Sequence, residues 1–193
     1  MIQTATAAPG PLKVYCLGDS LTIGHGVSPE ESWPSLLQAR FDLDNPKQVQ
    51  FINGGISGST SASAASRLRF ALGAKPDWVI LALGANDGLR GLDLAALRQN
   101  LAAAIDLAQA NQVKVILLGM KMPPNYGRAY ALGFEQVYVA LAKEKSLPWV
   151  PFFLAPVAGR PELNQADGIH PNAQGYQRIA EALYPSIKNW LLP

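Results

Sequence analysis

The feature that most constrains this chain is an alternation. Short apolar runs end in Gly- or Pro-containing turns, and longer segments with helical spacing follow them. The strand-like runs are residues 13–17, 49–53, 78–83, 113–118 and 149–152. The helix-like segments are residues 33–41, 60–72, 94–108, 129–145 and 172–190. In the third helical segment, positions 94, 97, 101, 104, 105 and 108 are apolar. In the last, Tyr176, Ile179, Ala180, Leu183, Ile187 and Trp190 form one stripe. Residues 78–83 contain no polar side chain, which suits a strand buried on both faces. Strand–helix alternation predicts an α/β chain, with a parallel sheet of five strands covered by helices on both faces. Right-handed crossovers then bring the carboxyl ends of the strands to one edge. Ligand sites of such sheets lie at that edge.

Length and charge narrow the function classes. At 193 residues the chain suits one domain, expected over residues 12–193 behind a flexible segment 1–11. Its 16 basic and 14 acidic residues are spread along the chain, so no basic stripe suggests a nucleic-acid partner. The longest apolar run, residues 78–85, is far below the ~20 residues a transmembrane helix needs. The single cysteine, Cys16, excludes an internal disulfide, and reads as a packed thiol inside the first strand. With only His25 and His170 besides, no Cys/His zinc site is expected. Residues 1–11 lack the basic start and apolar core of a signal peptide. A cytoplasmic location is the default expectation, replaced by a periplasmic or secreted one if a signal was removed. Nothing in the charge balance or the apolar spacing calls for more than a monomer.

Four turns carry chemistry-bearing residues toward the common edge. They are Gly18-Asp19-Ser20-Leu21, Gly54-Gly55-Ile56-Ser57-Gly58, Gly84-Ala85-Asn86-Asp87 and Asp167-Gly168-Ile169-His170-Pro171. A serine hydroxyl is a weak nucleophile until a base removes its proton. Imidazole can take and return that proton near neutral pH. A carboxylate behind the ring fixes its tautomer and stabilises the imidazolium. In Asp167-x-x-His170 one tight turn delivers both groups. The tetrahedral intermediate of acyl transfer also needs donors aimed at its oxyanion. The N–H groups of Ser20 and Gly58 and the amide of Asn86 are the candidates. Taken singly, each turn also has a structural reading, as a helix start or a cap. Their coincidence at one sheet edge favours acyl transfer.

Other residues have less distinctive patterns. His25, in Gly24-His25-Gly26, has no carboxylate at short spacing and reads as a loop or substrate-rim residue. The Gly-x-Ser-x-Gly elbow, the dinucleotide Gly-x-Gly-x-x-Gly and the Walker phosphate loop are all absent.

The four blocks, in this order, resemble those of the SGNH, or GDSL, hydrolase superfamily, over about residues 12–190. The resemblance implies a three-layer α/β/α domain, flavodoxin-like in outline. It implies Ser20 as nucleophile, His170 as base and Asp167 as its orienting acid, with Ser20, Gly58 and Asn86 as the oxyanion hole. Ile56-Ser57-Gly58-x-Thr60-Ser61, Asn86-Asp87-Gly88-Leu89-Arg90-Gly91, Met122-Pro123-x-Asn125-Tyr126-Gly127 and Pro151-Phe152-Phe153 are similar to the bacterial arylesterase/acyl-CoA thioesterase/lysophospholipase branch. That branch typically has Asp where this chain has Ser59. The change bears on the hydrogen bonding of the loop that carries Gly58.

The expected activity is hydrolysis of carboxylic esters or thioesters through a Ser20 acyl-enzyme, with no metal or organic cofactor. The expected substrates are aryl or short- to medium-chain acyl esters, with acyl-CoA and lysophospholipid in the same chemical class. Leu89, Met120, Met122, Pro123 and Tyr126 are the candidate acyl-pocket residues, since methionine adapts to chains of several shapes. Arg90 is a candidate to meet a carboxylate, a phosphate or a neighbouring Asp. A carbohydrate O-acetylesterase is the alternative enzyme. A noncatalytic small-molecule-binding module is the alternative of a different class, because fold alone does not exclude it.

Overall fold

The computed structural model describes residues 10–192, so positions 1–9 of the expected N-terminal segment lie outside the described residues. Five parallel strands form the sheet: β1 (Leu12–Gly18), β2 (Val49–Gly55), β3 (Trp78–Ala82), β4 (Lys114–Leu118) and β5 (Trp149–Val150). Their order is β2-β1-β3-β4-β5, the flavodoxin-like order, whose direction of winding reverses between β1 and β3. Every residue of β3 is buried, as its uninterrupted apolar run predicts. Gly18 pairs with Gly55 on one side and with Ala82 on the other. The chain segments leaving β1, β2 and β3 therefore start side by side.

Among the described residues seven α-helices accompany the sheet: α1 (Ser20–Ile23), α2 (Trp33–Asp44), α3 (Ala64–Ala71), α4 (Ala85–Leu89), α5 (Leu94–Ala110), α6 (Arg128–Glu144) and α7 (Ala173–Leu191). α2 packs on α7 over one face of the sheet, while α5 packs on both α3 and α6 over the other. This gives the three layers. Trp33, Phe41 and Tyr176 are fully buried on the α2/α7 side, and Phe134 and Tyr138 on the α6 side. The buried Tyr138 hydroxyl donates to the Leu83 carbonyl at 2.9 Å, so its burial leaves no orphaned polar group. Among the described residues no helix is long and apolar enough to cross a membrane.

The structure departs from the sequence reading in three places. β5 stops at Val150, short of residue 152, because Pro151 has no N–H to donate to a ladder. The segment 60–72 is not one helix. A 3-10 turn over Ser61–Ser63 precedes α3, and the Ser61 N–H at its start is bonded to the Asp87 carboxylate. The turns after β1 and β3 contain the short helices α1 and α4, which are too brief to show a hydrophobic period.

Candidate active site

The site begins at the end of β1. Asp19 caps α1, its Oδ1 accepting the Leu21 N–H at 3.0 Å, and Ser20 takes the first helical position. Gly18 is required just before them: a Cβ there would lie 1.9 Å from Thr22 Oγ1 and 3.0 Å from the Ala82 carbonyl oxygen. Asp19 is buried. Desolvation raises its pKa from the ordinary 3.8 to about 6, partly offset by the hydrogen bonds from Leu21 and Asn86.

The second part comes from the loop before α7. Asp167 Oδ1 accepts the N–H groups of Ile169 and His170 at 2.9 and 3.0 Å, closing a tight turn. Its Oδ2 lies 2.6 Å from His170 Nδ1. These bonds from His170 and Ile169 hold the Asp167 carboxyl well below the usual carboxylate range. The Asp167 side chain is 42% exposed, so hydrogen bonds and not burial keep it ionised and in place. With Nδ1–H directed at Asp167, Nε2 carries the free lone pair. It lies 2.9 Å from Ser20 Oγ. Hydroxyl, imidazole and carboxylate thus form one connected line drawn from two chain segments 150 residues apart.

Two further turns close the other side. Gly58, with φ of 75°, sits in the loop after β2. Asn86, on α4, donates its side-chain amide to the Ser59 carbonyl at 3.1 Å and makes a long 3.4 Å contact to Asp19 Oδ2. Among the described residues the Ser20 and Gly58 N–H groups make no hydrogen bond, so both are free to donate. Arg90 donates to the Gly58 carbonyl at 3.1 Å. The loop carrying Gly58 is therefore held through backbone carbonyls, without the Ser59 side chain.

The cleft beside these groups has a volume of about 300 Å³ and is lined by Ser20, His25, Ser57, Gly58, Asn86 and His170. Leu21, Ala85, Leu89 and Ile169 are shared with an adjoining pocket of about 450 Å³. Leu89, Met120, Met122 and Pro123 line that pocket. Tyr126 lines neither space: it belongs to the 3-10 turn Pro124–Tyr126, farther along the loop. Phe152, Leu154, Val157 and Ile169 were missed and line the pocket as well. The rule that sites form beyond strand ends would have pointed to 152–157, which directly follow β5. His25 lies at the cleft as a rim residue, its ring 4.7 Å from that of His170. Cys16 is fully buried in β1, and burial pushes its thiol pKa far up, which removes it from thiolate chemistry. Among the described residues no three His, Cys, Asp or Glu side chains are grouped to hold a metal ion.

Comparison with known proteins shows the family. Residues 16–178 match the GDSL-like lipase/acylhydrolase family. The chain is 41% identical to Esterase TesA of Pseudomonas aeruginosa, over 97% of this chain and 92% of that protein. It is 37% identical to thioesterase 1/protease 1/lysophospholipase L1 of Escherichia coli K12, over 86% of this chain and 78% of that protein. The crystal structure of the psychrotrophic esterase EstA from a Pseudoalteromonas species, inhibited by monoethylphosphonate, superposes with a TM-score of 0.88 at 35% identity. That match covers 94% of this chain and 99% of EstA. By fold, motif order and relatives, the chain belongs to the GDSL-like lipase/acylhydrolase family, the SGNH hydrolases.

Proposed function

We propose that this protein hydrolyses carboxylic esters and thioesters through an acyl-enzyme on Ser20, with residues 12–193 as the hydrolase unit. The observation that carries the reading is the line Ser20 Oγ–His170 Nε2, 2.9 Å, and His170 Nδ1–Asp167 Oδ2, 2.6 Å. Ser20 Oγ attacks the carbonyl carbon while His170 Nε2 takes its proton. The oxyanion that forms accepts the N–H groups of Ser20 and Gly58. The Asn86 amide turns toward it by giving up the long contact to Asp19. The bond from the carbonyl carbon to the leaving oxygen or sulfur then breaks, and His170 returns the proton to that atom. Water repeats the sequence on the acyl-enzyme, releasing the carboxylic acid and restoring Ser20.

The acyl chain occupies the 450 Å³ pocket, whose lining is apolar apart from Lys121 and Asn164. This supports short- to medium-chain acyl and aryl esters, and the corresponding thioesters, over a sugar acetate, which asks for a small acyl space and a polar cleft. The names of the esterase and thioesterase/lysophospholipase relatives are consistent with this class.

The test is initial rates on p-nitrophenyl esters from acetate to palmitate, with Ser20→Ala and His170→Ala alongside. A rate that peaks at short or middle chains and is abolished in both variants is expected. A rate that persists in either variant overturns the assignment, and one confined to acetate moves it to the deacetylase.

A further inference from the structure

Besides the Ser20–His170 hydrogen bond, the buried Tyr176 hydroxyl of α7 reaches the Ser20 carbonyl, but only at a long 3.5 Å. Residues 166–169 are all exposed, so core packing anchors the loop carrying Asp167 and His170 only at its end, through the buried Pro171. On the other side, α1 has only four residues and ends at Gly24 and Gly26, with φ of 84° and 78°. A shift of about 1 Å between catalytic groups can lower a rate ~100-fold. Some contact must therefore set their separation.

Gln165 makes that contact. Its backbone N–H donates to the His170 carbonyl at 2.8 Å, and its carbonyl accepts the Gly168 N–H at 2.9 Å, so it closes the base of the loop. Its side-chain Nε2 donates to the Pro171 carbonyl at 2.9 Å and to the His25 carbonyl at 2.7 Å. Both partners are pure acceptors, which fixes the amide orientation: only the NH₂ end can face them. His25 in turn donates its backbone N–H to the Ser20 carbonyl at 3.0 Å. The bonds run without a break from the loop carrying His170, through Gln165 and His25, to the backbone of Ser20. The His25 ring packs on the His170 ring along the same line. Gly26 leaves the space for the amide, since a Cβ there would lie 2.2 Å from Gln165 Oε1.

We infer that Gln165 is a positioning residue: its side-chain amide clamps the His25 loop to the Asp167–His170 loop and so sets the Ser20 Oγ–His170 Nε2 distance. The clamp touches neither substrate nor reacting atoms. It rests on the reading of Ser20 and His170 as nucleophile and base.

Gln165→Met keeps the length of the side chain and removes both donors, and Gln165→Ala removes the side chain. The purified variants are compared with the parent and with Ser20→Ala on the best p-nitrophenyl ester. Each is also titrated with a serine-directed organophosphate and melted thermally. The clamp predicts a kcat lowered roughly 10- to 100-fold with KM little changed. It also predicts a parallel fall in the rate of organophosphate inactivation and an unchanged number of reactive sites per chain. A merely structural glutamine would instead lower the melting temperature and the number of reactive sites, leaving the rate per site as in the parent. That result overturns the clamp, as does a Gln165→Met enzyme with parental kcat. If Ser20→Ala is inactive in those cases, the nucleophile assignment stands alone. An active Ser20→Ala overturns that assignment and the clamp with it.

Discussion

The buried Asp87 carboxylate accepts the Ser61 hydroxyl at 2.5 Å and the Ser61 backbone N–H at 2.8 Å. Asn100 donates to the same Ser61 hydroxyl at 3.0 Å. This pair ties the turn that carries Asn86 to the segment that follows Gly58. Ser61→Ala removes a hydrogen bond to a buried charge and is expected to cost about 1.5–3 kcal/mol of stability. Urea denaturation measures it. A loss below half a kcal/mol would mean that solvent replaces the hydroxyl.

Asn86 is expected to act in the transition state. Its contact to Asp19 is long, and the oxyanion offers a better acceptor. Asn86→Ala should lower kcat roughly 100- to 1000-fold with KM nearly unchanged. Steady-state kinetics decides this, because an equal loss in binding would appear as a raised KM.

Asp167→Asn gives a sharper test of the His170 tautomer. The amide oxygen can still accept the N–H groups of Ile169 and His170, so the turn is kept. The amide NH₂ then faces Nδ1 and forces the proton onto Nε2, which can no longer accept from Ser20. A loss of roughly 10⁴-fold in kcat is expected, as for the equivalent change in a serine protease. A fold matching the parent by circular dichroism completes the test.

Asp19 is expected to make stability depend on pH. Its folded pKa of about 6 lies above the ordinary 3.8, so the folded protein binds this proton more tightly than the unfolded chain does. Its stabilising contribution is present below about pH 4 and lost as pH rises through about 6. The rise from 3.8 to about 6 corresponds to about 3 kcal/mol. Asp19→Asn keeps an acceptor for Leu21 and removes the buried charge. Relative to the parent it should be more stable at pH 7.5, with the advantage vanishing toward pH 4. Denaturation at both pH values checks the sign.

Gly88 lies behind Met122, which lines the 450 Å³ pocket. A Cβ at this position would lie 2.4 Å from the Met122 sulfur, at the flexible end of a side chain that lines the pocket. Gly88→Ala should push Met122 into the 450 Å³ space and move the kcat/KM optimum to shorter acyl chains. Met122→Ala should move it to longer ones. The p-nitrophenyl ester series reads both shifts, and an unchanged optimum would place the acyl chain elsewhere.

The layers of this molecule were legible because burial leaves a periodic trace in the sequence. The apolar run of β3 and the helical stripe of α7 each state which face is hidden, whatever lies opposite. The Asp167–His170 turn was legible too, since its geometry is local to four residues. Tyr126 lies outside both pockets, because neighbourhood in sequence with Met122 does not fix which way a loop turns after Pro123. Phe152 and Leu154 were overlooked because their segment has no period, and only the β4–β5 pairing brings it beside Leu89.

The sequence by itself determined the five strands and the long helices, the turns that end them and the edge at which those turns meet. It did so because backbone preference and the apolar period act over a few residues. Only the tertiary structure decided which distant groups touch: Ser61 with Asp87, and Gln165 with a carbonyl 140 residues away. Such pairs carry no local signature. Each member is an ordinary polar residue until closure of the sheet and its covering helices brings a partner within hydrogen-bond reach.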